Sequence, residues 1–277
     1  MTMNRVWLIL DATYLCHRAK HVFGELSYGG SATGVIYGFL KDLEYLEDFF
    51  QTKYVIFCWD YGKGIRKTMN KEYKKKRQKV EYTEEEQQFE NAFREQMELL
   101  RTEYLRTIGY RNIFYQKGYE ADDIIASVCQ NLPKGDTGYI VSADQDLYQL
   151  LSDDVAIYHP QKRKIIMAEL FEKEHGIKPE QWAGVKALAG CTSDNVMGIP
   201  GVGDKTAIKF LTGQLKPESK IYKRIIAESQ TVQERNYPLV KLPLEGTKVF
   251  RLKKDKRNKK GYNEVIEKLG MKSLRKA

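Results

Sequence analysis

The stretch Tyr139-Ile140-Val141-Ser142-Ala143 ends in Asp144, with Asp146 two residues further on. A short, almost unbroken apolar run that stops at an acid reads as a strand covered on both faces, as a parallel sheet requires. The same construction occurs twice more. Val6-Trp7-Leu8-Ile9-Leu10 ends in Asp11, and Tyr54-Val55-Ile56-Phe57-Cys58-Trp59 ends in Asp60. Ile113-Phe114-Tyr115 is the expected fourth strand, and residues 155–159 and 164–167 the expected terminal hairpin.

Helical patterns lie between these runs. Phe89, Phe93, Met97, Leu100 and Tyr104 recur at spacings of 4, 4, 3 and 4, which gives one apolar, core-type face. Residues 120–131 (EADDIIASVCQN) place Glu120, Asp122 and Asp123 in a first turn, where acids favour the positive end of the helix dipole. Alternating strands and helices predict an α/β fold, with a mostly parallel central sheet flanked by helices. Ligands of such sheets bind outside the carboxyl ends of the strands, where Asp11, Asp60 and Asp144 lie.

The connection from Asp60 to Ile113 is about fifty residues, far longer than an ordinary crossover. It predicts an inserted helical arch above the strand ends, at about residues 62–105. The expected division is an α/β unit at 1–168 and a helical, glycine-punctuated unit at 169–277, whose basic end from residue 248 is expected to pack less well.

Composition narrows the function classes. The chain has 277 residues, 42% of them hydrophobic and 12% aromatic, which argues against disorder. The longest stretch without Asp, Glu, Lys or Arg is residues 26–40, interrupted by Gly and Ser, so no membrane span is expected. Cys16, Cys58, Cys129 and Cys191 show no short paired spacing, which speaks against zinc knuckles and disulfides and for a reducing cytosol.

The net charge of +9 is unevenly placed. Residues 63–79 carry nine Lys/Arg and one Glu, and residues 251–260 seven Lys/Arg and one Asp. Residues 81–98 carry seven Glu and one Arg. Alternating blocks of this size suggest a surface that meets phosphates in several places.

Asp11, Asp60, Glu120, Asp122, Asp123, Asp144, Asp146 and Asp194 form a candidate metal constellation. Two carboxylates about 4 Å apart repel by roughly 4 kcal/mol at an effective dielectric of 20. Protonation or a hard cation relieves that repulsion, and an oxygen-rich set with few His or Cys suits Mg²⁺ or Mn²⁺.

GYEADD (118–123), SADQDLYQLL (142–151) and GCTSDNVMGIPGVGDKTA (190–207) occur in this order. Together with GVIYGFL (34–40), FCWDYGKGIRK (57–67) and EYKKKR (72–77), they resemble the 5′-nuclease family. That family includes the flap endonucleases, the phage 5′–3′ exonucleases and the nuclease domain of bacterial DNA polymerase I. The resemblance runs from Asp11 to about Leu211. It implies a metal-dependent 5′–3′ exonuclease or 5′-flap endonuclease acting on DNA in replication or repair, in a bacterial or phage-infected cytosol. At this length there is no room for a polymerase domain, so a separate, monomeric protein is expected.

The resemblance also implies roles. Asp60, Glu120, Asp122 and Asp144 would hold a first metal, with Asp11 and Asp123 acting through waters. Asp144, Asp146 and Asp194 would hold a second. Arg18 would lie near the scissile phosphate, and Lys74 and Arg77 on the arch, where Lys74 would neutralise charge on the transferred phosphate. Arg66, within FCWDYGKGIRK, would contact DNA, and Tyr73 would stack on a base or sit in the core. Residues 198–203 (GIPGVG) read as the hairpin of a helix–hairpin–helix, with Gly201, Gly203 and Lys205 gripping duplex phosphates beside a potassium ion. His21 would meet a phosphate or serve structure, the structural role being preferred. Cys191 stands where the family carries an acid, and a thiol is a poor Mg²⁺ ligand, so the second site is expected to bind weakly. Two other readings stay open: an RNase acting on RNA primers or RNA–DNA hybrids, and a catalytically weakened binder of branched DNA.

Overall fold

A computed structural model describes residues 4–75 and 81–274. Strand β1 (Val6–Asp11) runs directly into α1 (Ala12–Phe23). A small ribbon, β2 (Ser27–Tyr28) and β3 (Ser31–Ala32), precedes α2 (Gly34–Phe49), which returns the chain to β4 (Tyr54–Cys58). A short α3 (Arg66–Met69) is followed by α4 (Glu84–Leu99), a π-helical turn at Leu100–Tyr104, α5 (Leu105–Ile108) and β5 (Ile113–Phe114). Next come α6 (Ala121–Gln130), β6 (Thr137–Val141), β7 (Val155–His159) and β8 (Lys164–Ile166). The remainder is mostly helical: α7 (Ala168–His175), α8 (Trp182–Ala189), the ribbon β9 (Gly190–Cys191) and β10 (Val196–Met197), α9 (Asp204–Leu211), α10 (Lys220–Val240) and α11 (Lys259–Lys268).

The main sheet has the order β5-β4-β1-β6-β7-β8. All its pairings are parallel except the final β7–β8 hairpin. Numbered by appearance within this sheet, the order is 3-2-1-4-5-6, the doubly wound arrangement whose direction of winding reverses between β1 and β6. Every residue of β1 after Val6 is buried, and the side chains alternate. Leu8 and Leu10 enter one core with α1 and α2, while Trp7 and Ile9 enter the other with α6 and α8. Val55 and Phe57 of β4 join the first core, and Ile56 and Cys58 the second. This two-sided burial is why the strands read as continuous apolar runs. Gly38 lets α2 approach α1: a Cβ there would lie 2.8 Å from that of Ala19 and 2.6 Å from the Phe23 ring.

The apolar stripe at 89–104 packs as its spacing predicts: Phe93, Leu100, Tyr104 and, next to it, Leu105 build the segment 84–105 into the first core. Three of the seven glutamates in its acidic block, Glu84, Glu85 and Glu86, form the first turn of α4, where Glu86 closes a capping box with Thr83. The basic C-terminal stretch, expected to pack poorly, is anchored along its length. Residues 248–258 run back along β5, with Lys253 N–H donating to the Asn112 side-chain oxygen (2.8 Å) and Lys256 N–H to the Gly109 carbonyl (2.8 Å). Phe250 stacks on Phe114, Arg257 forms a bidentate pair with buried Glu47 (2.5 and 2.9 Å), and α11 buries Val265 and Ile266 in the first core. The strap is thus bonded to the segments on either side of β5, the edge strand of the sheet.

Candidate active site

The winding reversal brings Asp11, at the end of β1, beside the residues that follow β6. Asp11 accepts from the Tyr14 backbone N–H and from the Ser142 hydroxyl, both at 3.0 Å. The same hydroxyl accepts from the Asp144 N–H (3.2 Å), and Asp144 caps the next turn by accepting from the Asp146 N–H (2.8 Å). Across the crevice, Asp60 follows β4; its N–H donates to Thr13 Oγ1 (3.0 Å) and its carboxylate accepts from the Ala121 N–H (2.7 Å) at the start of α6. The first turn of α6 then presents Glu120 and Asp122. Asp11, Asp60, Glu120, Asp122, Asp144 and Asp146 thereby line one open cavity of about 830 Å³.

Its far wall comes from the helix–hairpin–helix region. Asp146, Cys191 and Asp194 each bring one potential ligand atom within 4.8 Å of the others. The ribbon that carries Cys191 and Asp194 turns sharply against α8: Gly190 has φ +77°, and a Cβ there would meet the Gly198 nitrogen at 2.4 Å. Asn236 of α10, fully buried, donates to the Ala187 and Met197 carbonyls (both 2.9 Å) and so fixes the ribbon to α8. Lys74 forms the roof. Its N–H donates to the Asp194 carbonyl (2.7 Å), its backbone is left-handed (φ 54°), and its Nζ lies 2.7 Å from Glu120 and 3.8 Å from Asp194.

Six carboxylates against two lysines, Lys74 and Lys186, leave the lining formally at −4. Burial, then repulsion from Asp60 and Asp144, pushes the Asp11 carboxyl up to about 7. Burial, then Asp144, pushes Asp146 up to about 7 as well, against the pull of Lys186. Burial together with Asp144 and Asp11 raises Asp122 well above the ordinary carboxylate range. Burial disfavours the charge on Lys74, but Glu120, Asp194 and Asp122 outweigh it and raise its pKa. Carboxyls that resist ionisation in a shared, oxygen-lined cavity are the donor set a hard divalent cation fits.

The structure moves several expected site residues elsewhere. Asp123 is fully buried behind Glu120, and its carboxylate accepts from Arg66 (2.6 and 2.8 Å), the Glu120 N–H (3.1 Å) and the Leu244 N–H (2.8 Å). With those contacts made, it faces the core and not the cavity. Arg66 is 2% exposed and also donates to the Leu239 carbonyl (2.8 Å), so it has no access to DNA. Tyr73 is 3% exposed, and its hydroxyl donates to Glu120 (2.9 Å) and Asp194 (3.1 Å), which excludes base stacking and makes it a support for the carboxylates. Arg18 pairs with Asp42 and lines a separate cavity of about 260 Å³ with Tyr45 and Arg163. Arg77 lies outside the described residues. His17 and His21 do line the acidic cavity, and burial, then Lys20, lowers the pKa of His17. Gly201 (φ +82°), Gly203 and Lys205 are exposed at the tip of the hairpin and the start of α9. Lys186 was not anticipated. It sits on α8 between Asp146 (3.9 Å) and Asp204 (3.3 Å), and the signal for it was a lone lysine in the otherwise uncharged run WAGVKALAG.

Comparison with known proteins agrees with this geometry. The family model described as "5′-3′ exonuclease, N-terminal resolvase-like domain" matches residues 6–176. The 5′-3′ exonuclease of Buchnera aphidicola subsp. Acyrthosiphon pisum is 30% identical over 249 residues, covering 88% of this chain and 82% of its own length. The thermostable DNA polymerase I of Thermus thermophilus is 35% identical over 210 residues, which is 74% of this chain but 23% of the polymerase. Among solved structures, T5 5′-exonuclease with bound divalent zinc is 25% identical with a TM-score of 0.69, and the match covers 86% of this chain and 90% of that one. The fold and the acid-lined crevice are those of a 5′-nuclease. The chain belongs to the 5′-3′ exonuclease family.

Proposed function

We propose that this protein, acting as a monomer in the cytosol, is a divalent-metal-dependent nuclease that hydrolyses DNA phosphodiester bonds from a free 5′ end or at a 5′ flap. The carrying observation is the convergence of six carboxylates in one cavity at the winding reversal, three with strongly raised pKa values. Asp60, Glu120, Asp122 and Asp144 would hold a first ion, with Asp11 behind them, and Asp144, Asp146 and Asp194 a second; Mg²⁺ or Mn²⁺ suits these oxygens. The zinc in the T5 relative supports a divalent ion here. Bound ions supply positive charge for the phosphate oxygens and a more acidic water as nucleophile.

The chain's own groups perform the rest. Lys74, held by its backbone over the carboxylates, offers its ammonium to charge developing on the transferred phosphate. Tyr73 and Ser142 keep Glu120, Asp194 and Asp11 in place by hydrogen bonds. The exposed hairpin 198–203 and Lys205 take duplex phosphates at the N-terminus of α9, with K⁺ as a counter-ion of those phosphates. Contacts of this kind do not read bases, so an RNA–DNA hybrid is an expected second substrate. Four free cysteines agree with a reducing cytosol.

The test is cleavage of a 5′-labelled flap duplex with Mg²⁺ or Mn²⁺, with Asp144→Ala as control. Wild type is expected to release short 5′ products, and the variant to lose about 100-fold or more in rate. Equal product from both would refute the assignment.

A further inference from the structure

The basic block 251–260 takes no part in the acidic cavity. Its backbone is committed to the edge of β5 through Asn112, Gly109 and Ile108, while the side chains of Arg251, Lys253, Lys254 and Lys256 are exposed. Arg106, Arg111, Lys253 and Lys256, with Gly109 and Tyr110, enclose a separate cavity of about 290 Å³. Among the described residues none of these four cations forms an ion pair. Asp255, the one acid of the block, is occupied by the Arg111 N–H (2.7 Å) and the Asn112 amide (3.3 Å), and Arg257 by Glu47. Four like charges around one cavity repel, and an anion among them relieves the repulsion.

We propose that this pocket binds backbone phosphates of the nucleic-acid substrate away from the scissile bond. The strap that carries it begins beside the active site. Gln116 donates to the Gly246 carbonyl (2.9 Å) and Tyr119 to the Glu245 carbonyl (3.0 Å), and Tyr119 immediately precedes Glu120. The cations of the strap therefore mark a path from the carboxylates along the sheet edge to the pocket. An array of unpaired cations spread along such a path fits a linear polyanion better than a single small anion. The inference rests on the nuclease reading.

The test is fluorescence anisotropy with a 5′-flap duplex in EDTA, comparing wild type with Lys253→Glu/Lys256→Glu and Arg106→Glu/Arg111→Glu, and with the corresponding alanine pairs. Because these side chains are exposed, melting temperatures should be unchanged. Each pair should weaken binding about tenfold and flatten the log K against log salt slope by roughly 0.9 for each phosphate no longer neutralised. Cleavage at saturating DNA should keep its wild-type rate. Unchanged affinity and slope in a folded variant would overturn the inference and leave the nuclease reading intact. So would loss of binding to anionic phospholipid vesicles with DNA binding intact, since that outcome assigns the pocket to a lipid headgroup. Failure of wild type to cleave any 5′-ended DNA would instead sink the nuclease reading, while variant-sensitive DNA binding would still uphold the pocket.

Discussion

Arg66 and Asp123 face each other in a bidentate pair of 2.6 and 2.8 Å, both buried, directly behind the carboxylate layer of the active site. Arg66 Nη1 also reaches Glu120 (3.4 Å), and its Nε holds the Leu239 carbonyl. One guanidinium thus joins the start of α3, the first turn of α6 and the end of α10. Removing either partner alone leaves a buried charge uncompensated. Arg66→Met or Asp123→Leu should each destabilise the fold by about 3–5 kcal/mol, and the double variant by less than the two together. Urea denaturation of the three variants measures this. Additive losses would contradict the coupling.

Lys74 stands in a different relation to the same carboxylates: its side chain is reachable from the cavity. Lys74→Met should lower the single-turnover cleavage rate by about 10²–10³-fold, the range for losing one aimed electrostatic contact. Folding should be little affected, because the backbone N–H bond to Asp194 survives the substitution. A rate within a few-fold of wild type would remove Lys74 from the mechanism.

The metal-free protein should lose stability as the pH rises. Asp11 and Asp146 are pushed up from 3.8 to about 7 in the folded chain, chiefly by burial and by neighbouring carboxylates. Folded carboxyls then bind protons more tightly than unfolded ones, so stability is greatest at the acid end and falls through about pH 7. Each unit of difference corresponds to about 1.4 kcal/mol. In EDTA the melting temperature should fall between pH 5 and pH 8. Adding Mg²⁺ at pH 8 should restore it, and Asp144→Asn should flatten the EDTA profile. A melting temperature that rises over this window would disprove the assignment.

Cys191 shares a candidate metal cluster with Asp146 and Asp194, and burial, then Asp146, raises its thiol pKa. A protonated thiol contributes little to a hard cation. Cys191→Asp should lower the Mg²⁺ concentration that half-saturates the protein, seen by calorimetry with the metal alone and by cleavage. Mg²⁺ and Mn²⁺ isotherms identical to wild type would show that this position does not face the ion.

Much of the molecule was legible in one dimension. The strands were readable because a sheet covered on both faces demands apolar side chains in both alternating sets, as Trp7/Ile9 and Leu8/Leu10 supply. An acid at the end of each such strand located the cavity, since strand ends in a doubly wound sheet converge on its winding reversal. Sequence spacing alone did not decide which face of a turn each side chain took. Glu120 and Asp123 both belonged to the expected metal constellation, yet Glu120 lines the cavity while Asp123 spends both carboxylate oxygens on Arg66. The family resemblance implied a DNA contact for Arg66 and left Tyr73 between a base and the core, and only the contacts with α10 and Asp194 revealed both as buried supports. The +9 charge likewise indicated phosphate, but not where. Its distribution into an acidic cavity, an exposed hairpin and a cationic strap depends on contacts between residues more than a hundred positions apart, such as Asn112 with Lys253, which only the folded chain brings together.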